Sequence, residues 1–124
     1  TPINPDLAMG QVYGAALKAI GHSLYEELLF DKQGVLINPN FLDYKVPSIY
    51  EVPEDFHVEF VPVDDEIGPF GGKSVSEISV NGAAPAIAIA LHDALGIWCR
   101  EWPFTPERIL KLLGTVQTPH KAVL

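Results

Sequence analysis

The stretch Gly68-Pro69-Phe70-Gly71-Gly72-Lys73-Ser74-Val75-Ser76-Glu77 differs in composition from the rest of the chain. Its first five residues contain three glycines and a proline, which predicts a tight loop rather than a helix or a strand. The main chain can approach another body closely where side chains are small, as they are at Gly71, Gly72, Ser74 and Ser76. We therefore expect a loop whose backbone N–H groups are free to meet a ligand or another domain.

One carboxylate, Glu77, follows this loop and precedes the apolar-leaning run Ile78-Ser79-Val80. Desolvation by apolar neighbours makes a carboxylate a stronger base, so Glu77 is a candidate general base. The alternative is an ordinary turn followed by a solvated glutamate. The spacing alone favours that alternative, because most glycine-rich loops are turns and most glutamates are solvated.

The composition limits the class of protein. The chain has 124 residues and a formal net charge of −8, which suits one domain with a modest core. The negative charge argues against nucleic acid or an anionic membrane surface as a main partner. The single cysteine, Cys99, rules out an internal disulfide, is expected in the core, and fits a reducing, cytoplasmic compartment.

The two ends of the sequence carry separate expectations. The chain begins at Thr1-Pro2 rather than at a methionine, so we expect a fragment or a processed chain. No signal peptide opens it, and no apolar run is expected to reach transmembrane length. Residues 115–124 have no pattern and are predicted to be a disordered tail, which leaves residues 1–114 as the domain.

Hydrophobic periodicity predicts three helices. The first runs over about 8–30, with Asn4 or Asp6 as its cap. The second runs over about 83–95, stops at Gly96, and is apolar enough on both faces to be buried on most sides. A short third helix begins at the cap Thr105-Pro106-Glu107 and continues to Leu113.

Short apolar or alternating runs predict strands at 35–37, 57–63 and 97–102. Together with the helices, these strands predict an α+β fold, a two-layer domain with a small mixed or antiparallel sheet packed against helices.

Two glycines and a glutamine in the first predicted helix bear on binding. Gly14 and Gly21 lie seven residues apart and hence on nearly the same side of the helix. Close helix packing is the favoured explanation, and approach of a bulky ligand is the alternative. Gln11 lies near the helix start, where a side-chain amide and free N–H groups together suit a polar ligand.

The other reactive residues form no recognisable site. The four histidines are scattered without ligand spacing, and the acidic run Asp64-Asp65-Glu66 has too few ligands for a metal, so no metal ligand is assigned. Ser74 and Ser76 have no nearby histidine in sequence, which leaves a serine nucleophile remote.

Three blocks of the chain resemble the C-terminal part of the molybdenum-binding subunit of molybdenum hydroxylases, the xanthine dehydrogenase and aldehyde oxidoreductase family. The first block is Ile3-Asn4-Pro5 with Gly10-Gln11, and the second is Asn38-Pro39-Asn40-Phe41 with Asp43-Tyr44-Lys45-Val46-Pro47. The third and most specific is the loop 68–77, followed by Ala84-Pro85-Ala86-Ile87 and Thr105-Pro106-Glu107. The blocks run in family order over nearly all of the chain up to the last helix.

The resemblance implies a role for each matching position. Glu77 matches the active-site glutamate, the base in oxidative hydroxylation of a purine, an N-heterocycle or an aldehyde at a molybdopterin centre. Gln11 matches a glutamine that contacts the molybdopterin cofactor. The loop that passes close to the cofactor is matched by Lys73, Ser74, Val75 and Ser76.

The loop departs from the family pattern at two positions. The family often has a glycine immediately before the glutamate and a small residue after the lysine, whereas this chain has Ser76 and Ser74. If the family glycine uses a positive φ, Ser76 must strain or shift the loop.

The resemblance also implies partners. The molybdenum–molybdopterin cofactor would be shared with the remainder of the subunit, and iron–sulfur clusters and FAD would lie in partner subunits or domains. A chain of this length cannot enclose cofactor and substrate, so we expect it to be inactive alone and to expose an apolar patch that allows self-association. The alternative is a free-standing, non-catalytic binding or assembly module with the same fold.

Overall fold

The computed structural model describes residues 1–114, which form three α-helices. They are α1 (Pro5–Leu24), α2 (Val80–Leu95) and α3 (Pro106–Leu112). Three 3₁₀ turns, Ile49–Glu51, Pro69–Gly71 and Glu77–Ser79, interrupt the long connection between α1 and α2. The tail predicted for 115–124 lies outside the described residues.

Helix α1 begins where the sequence predicts and ends earlier. The Asn4 side chain accepts a hydrogen bond from the Leu7 N–H at 3.0 Å, so Asn4 is the cap. The predicted continuation to about residue 30 is wrong, because the buried Asn38 side chain takes the place of helical partners. Its amide donates to the Glu27 carbonyl at 2.7 Å, and its oxygen accepts from the Leu29 N–H at 2.9 Å. These bonds satisfy the backbone after Leu24 without a further helical turn.

The predicted α+β fold with a sheet is also wrong. Within residues 1–114 the only β-type pairing is a single antiparallel bridge between Phe30 and Leu36. A turn connects these two residues, and in it Asp31 Oδ1 accepts hydrogen bonds from the Gln33 and Val35 N–H groups. The segments 35–37, 57–63 and 97–102 form no strand in this part of the chain. Alternation identifies a segment that can pair, but a strand exists only where another segment supplies the ladder of hydrogen bonds.

Helix α2 ends as predicted but is not buried. Gly96 adopts the left-handed conformation (φ 70°) and its N–H donates to the His92 carbonyl at 2.7 Å. The helix begins at Val80, because the turn Glu77–Ser79 leads directly into it, and Pro85 therefore lies inside the helix rather than in its first turn. The expected burial on most sides is wrong within this chain, since α1 covers one face of α2 and none of its residues is buried.

The core is small and lies where α1 meets α2 and the residues that follow it. Its buried apolar residues are Ala15, Ala19, Cys99 and Phe104, which confirms the placement of Cys99. The Phe104 N–H donates to the carbonyl of buried Ser23 at 2.6 Å, and Arg108 pairs with Glu27 and donates to the Pro103 carbonyl at 2.9 Å. These bonds fasten α3 to the end of α1.

The exposed surface is large for a chain of this mass. The accessible area is 10226 Å², whereas a compact monomer of 13.6 kDa exposes about 6,600 Å². Many large apolar side chains are exposed, including Phe41 (85%), Ile67 (96%) and Tyr50 (92%). A surface of this kind is typical of a segment that other protein covers.

The segment Glu77–Leu95 has a mean hydropathy of 1.3 over its 18-residue window and is, by length and composition, long enough to cross a membrane. The expectation that no run reaches this length is therefore wrong by that criterion. A single such helix is weak evidence for a span, because a helix covered by other protein has the same composition.

Gly21 is the helical glycine whose packing can be tested. A Cβ there would lie 2.5 Å from the Pro47 ring and 2.4 Å from Glu26 Oε1, whereas a Cβ at Gly14 meets nothing within 4 Å. Alanine gains about 1 kcal/mol over glycine in a helix, but overpacking costs about 1–3 kcal/mol. Gly21→Ala should therefore lower the thermal midpoint of the protein that carries this chain.

Gly14→Ala is the matched control and should leave that midpoint unchanged or raise it. Equal midpoints for the Gly21 and Gly14 variants would show that the contact with Pro47 does not restrict residue 21.

Candidate functional site

The glycine loop, residues 68–76, has a backbone that leaves no room for a side chain at Gly68 and little room at Gly71. A Cβ at Gly68 would lie 2.2 Å from the Gly72 carbonyl oxygen, and a Cβ at Gly71 would lie 3.2 Å from the Asp65 carbonyl oxygen. The Gly71 N–H donates to the Gly68 carbonyl at 3.0 Å, and the Gly72 N–H donates to the Pro69 carbonyl at 2.9 Å. The loop is therefore a closed turn, as the sequence predicts, and its glycines are sterically required.

Phe70 at the tip of this loop has a φ of 54°, which is unusual for a residue other than glycine. Its side chain is fully exposed and makes no ring contact within residues 1–114. A strained position with an uncovered aromatic ring is consistent with a loop that lies against another body.

Gln11 and the loop meet in space although they lie 65 residues apart in sequence. The Gln11 Nε2 group donates to the Ser76 carbonyl oxygen at 3.2 Å. This bond is possible because α1 packs against α2 and the turn Glu77–Ser79 lies against both helices. The side-chain oxygen of Gln11 has no donor within the described residues and stays available to a ligand.

An open cleft of about 840 Å³ lies at this meeting point. It is lined by all five positions predicted to bind a cofactor: Gln11, Lys73, Ser74, Val75 and Ser76. We call these five positions the polar wall. The other lining residues are mostly apolar and come from the start of α1 and the extended segment before the loop, with Ile3, Leu7, Phe60, Val61 and Val63. We call this second set the apolar wall.

The polar wall offers backbone donors rather than side-chain charges. Within residues 1–114 the N–H groups of Lys73, Ser74, Val75 and Ser76 have no protein acceptor. Four consecutive unpaired donors in a short loop are suited to a ligand with several acceptor atoms.

Glu77 does not line the cleft, although both of its neighbours, Ser76 and Ile78, do. It begins the 3₁₀ turn Glu77–Ser79, and its side chain is exposed and has no partner among the described residues. The chain thus brings the candidate base to the edge of the cleft and leaves it in water.

The serine before Glu77 does not adopt a positive φ. Ser76 has a φ of −83°, a value open to any residue. The departure from glycine at this position therefore requires no positive φ here. Ser74 and Ser76 make no side-chain hydrogen bond within residues 1–114, so no serine–histidine pair forms in that part of the chain.

Asp65 is a residue of the site that the sequence did not single out. Its carboxylate lies 3.2 Å from the Lys73 ammonium and accepts the Ile67 N–H at 3.0 Å. These contacts, the Ile67 N–H first and Lys73 second, hold the pKa of Asp65 below its ordinary value. Within residues 1–114 no three His, Cys, Asp or Glu side chains are placed to share a metal ion.

The second block of the resemblance serves the fold rather than the cleft. The Tyr44 hydroxyl donates to Glu26 Oε2 at 2.6 Å, which raises the pKa of Tyr44 above its ordinary value, chiefly through this bond and then through burial. Asn38 ties down the segment after α1, as described above. These residues hold the connection from α1 in place without reaching the cleft.

Known proteins match this chain over most of its length. The profile of a molybdopterin cofactor-binding domain matches residues 1–53. The chain is 58% identical to the probable hypoxanthine oxidase XdhD of Escherichia coli over 94% of this chain and 12% of that protein. It is 39% identical to the xanthine dehydrogenase molybdenum-binding subunit of Escherichia coli O157:H7 over 86% of this chain and 14% of that subunit.

The chain is homologous to part of a molybdenum-binding subunit of the molybdenum hydroxylases. The crystal structure of quinoline 2-oxidoreductase from Pseudomonas putida 86 agrees, with a TM-score of 0.83 and 33% identity. That match covers 90% of this chain and 14% of the other. The chain thus spans about one seventh of the length of its molybdenum hydroxylase relatives.

Gly68 provides a test of the loop geometry. Gly68→Ala places a methyl group on the Gly72 carbonyl oxygen, so the turn must open and the Gly71 and Gly72 N–H bonds must break. Losing about 1–3 kcal/mol of local stability corresponds to about 5- to 150-fold faster hydrogen exchange in the peptide 68–76.

Gly82→Ala is the matched control, because a Cβ at Gly82 meets nothing within 4 Å. Exchange in the loop should be unchanged in that variant. A Gly68→Ala protein with exchange like that of the control would contradict the closed turn.

Proposed function

We propose that this chain is the C-terminal portion of the molybdenum-binding subunit of a xanthine dehydrogenase-like molybdenum hydroxylase. It forms one wall of the molybdopterin site and supplies Glu77 as the base for oxidative hydroxylation. The substrate is a purine, another N-heterocycle or an aldehyde. The 58% identity to a protein named as a hypoxanthine oxidase supports the purine side of this range.

The observation that carries the proposal is the composition of the cleft. Helix α1 contributes Gln11 and the glycine loop contributes residues 73–76, so positions far apart in sequence form one polar wall. That wall has four unpaired N–H donors and a free amide oxygen, which fits a ligand rich in polar atoms. The backbone approaches itself so closely at Gly68 and Gly72 that no side chain fits at Gly68.

When bound, the molybdopterin cofactor supplies the molybdenum centre and the redox chemistry. The N–H groups of Lys73 to Ser76 would bind acceptor atoms of the cofactor, and the side-chain oxygen of Gln11 would accept from one of its donors. Gln11 also fixes the Ser76 carbonyl, so a single side chain supports both the loop and the ligand.

Glu77 accepts a proton on a carboxylate oxygen from the oxygen nucleophile that attacks the substrate carbon. In this chain the side chain of Glu77 is exposed. A carboxylate becomes a stronger base when water is removed from around it. We infer that the remainder of the subunit covers Glu77 and so completes the base.

The large exposed apolar surface supports the inference that the remainder of the subunit completes the site. The apolar wall of the cleft is exposed at Ile3, Leu7 and Val61, and α2 has no cover on the face away from α1. We therefore expect the chain to be inactive alone. The remainder of the subunit is its direct partner, and iron–sulfur and FAD subunits or domains pass the electrons on. We place the assembly in the cytoplasm.

The first test is substitution of the base in the complete enzyme. Glu77→Gln keeps the size of the side chain and removes its basicity, so turnover should fall by about 10²- to 10⁴-fold. Molybdenum and molybdopterin content should stay at the wild-type level, because Glu77 does not line the cleft.

Glu66→Gln is the matched control, since Glu66 is an exposed carboxylate near the same loop without a partner in the described chain. Its turnover should stay within about twofold of wild type, as is usual for a surface substitution. Near wild-type turnover in Glu77→Gln would rule out the base assignment.

The second test is the native state of the protein that carries this sequence. Purified under mild conditions, it should be a large assembly that contains molybdenum and molybdopterin, as measured by native mass and metal analysis. A small, metal-free native species would instead favour the non-catalytic binding or assembly module.

A further inference from the structure

Asp65 lies outside the glycine loop and contacts Ile67, which precedes the loop, and Lys73 and Gly71 within it. One carboxylate oxygen, Oδ1, accepts the Ile67 N–H at 3.0 Å, immediately before the loop begins. The other, Oδ2, lies 3.2 Å from the ammonium of Lys73, where the loop leaves its turn. The Asp65 carbonyl oxygen lies against the α-carbon of Gly71, 3.2 Å from where a Cβ would be.

These contacts distinguish Asp65 from its neighbours in the acidic run. Asp64 and Glu66 are exposed and have no partner within residues 1–114. Asp65 is partly shielded, with 25% of its side chain exposed against 54% for Lys73. An acidic run of this kind usually forms a solvated turn, but the middle position of the three is a structural contact of the loop.

The pair also defines what Lys73 does. Its ammonium is drawn back to Asp65, so the positive charge of Lys73 is balanced by the chain itself. The donors that remain without a partner at residues 73–76 are the backbone N–H groups and the hydroxyls of Ser74 and Ser76. The cleft therefore offers neutral donors to a ligand, and the lysine side chain contributes by holding the backbone that carries them.

We propose that Asp65 is a positioning residue for the cofactor site, which closes the glycine loop by holding the Ile67 N–H with one oxygen and the Lys73 ammonium with the other. It acts on the cofactor through the loop and does not touch it. The inference rests on the proposed function, since it assigns Asp65 a part in holding the molybdopterin cofactor against residues 73–76.

The charged form of Asp65 makes both contacts. The Ile67 N–H and the Lys73 ammonium lower the pKa of Asp65. A carboxylate with a lowered pKa stabilises the folded loop above its unfolded-state pKa, and this stabilisation is lost as the pH falls through the lowered value. The pair is therefore intact at neutral pH, where the test is made.

The test measures the rate at which the complete enzyme releases molybdopterin and molybdenum under mild chaotrope. Asp65→Asn keeps an acceptor for the Ile67 N–H and loses the charge opposite Lys73, so release should be about two- to fivefold faster at low salt, the range expected for one exposed ion pair. The difference from wild type should shrink at about 1 M salt. Asp65→Ala, which loses both contacts, should release the cofactor faster than Asp65→Asn.

Two further variants separate positioning from general instability. Asp64→Asn removes the adjacent charge without a contact and should release the cofactor at the wild-type rate. In a Lys73→Met background, Asp65→Asn should cause no further acceleration, because its partner is already absent.

The inference is overturned if Asp65→Asn releases the cofactor at the wild-type rate, or if it accelerates release equally with and without Lys73. The second result would indicate a structural role unrelated to the pair. A wild-type assembly that contains no molybdopterin would overturn the proposed function itself, which is a distinct outcome.

Discussion

The close contact of α1 with α2 is the interaction on which the rest of the structure depends. The buried residues of α1 are all small, among them Ala15 and Ala19, and the helix packs against α2. The turn Glu77–Ser79 lies against both helices, and this places the Ser76 carbonyl within reach of Gln11. The polar wall of the cleft is therefore a consequence of helix packing, although none of its residues belongs to the core.

The contact between α1 and α2 stabilises the chain on one side only. Few apolar residues are buried, and the accessible area is about one and a half times that of a compact monomer of the same mass. A chain that leaves this much apolar surface in water gains little from the hydrophobic effect by itself. Under the proposed function, the remainder of the subunit would both cover this apolar surface and complete the site.

The sequence predicted those features that depend on neighbours along the chain. The caps at Asn4 and Thr105, the stop at Gly96 and the closed glycine loop follow from local backbone chemistry, and the structure has all of them. The sheet was predicted wrongly, because alternation in 57–63 shows capacity for pairing and not the presence of a partner. The end of α1 was predicted too far along the chain, because Asn38, well beyond the helix, makes hydrogen bonds to the backbone that follows the helix.

The candidate site likewise has features that the sequence predicts and features that it does not. Physical reasoning identified the loop and its free N–H groups, and only resemblance to a family connected it with Gln11, since a contact across 65 residues leaves no periodic trace. Asp65 was missed because a carboxylate in an acidic run has the composition of a solvated turn. Its role depends on which of three adjacent side chains faces the lysine, and that is set by the turn geometry.

The loop with its backbone donors and the proposed base, Glu77, differ in how far this chain alone completes them. The loop that carries the backbone donors is already closed, with contacts at Gly68, Gly71 and Asp65 inside this chain. Glu77 is in place at the edge of the cleft but still in water, where a carboxylate is a weak base. On this view, cofactor binding depends on geometry that the segment contributes, whereas catalysis depends on desolvation that only assembly provides. An arrangement of this kind prevents the base from acting before substrate and cofactor are enclosed.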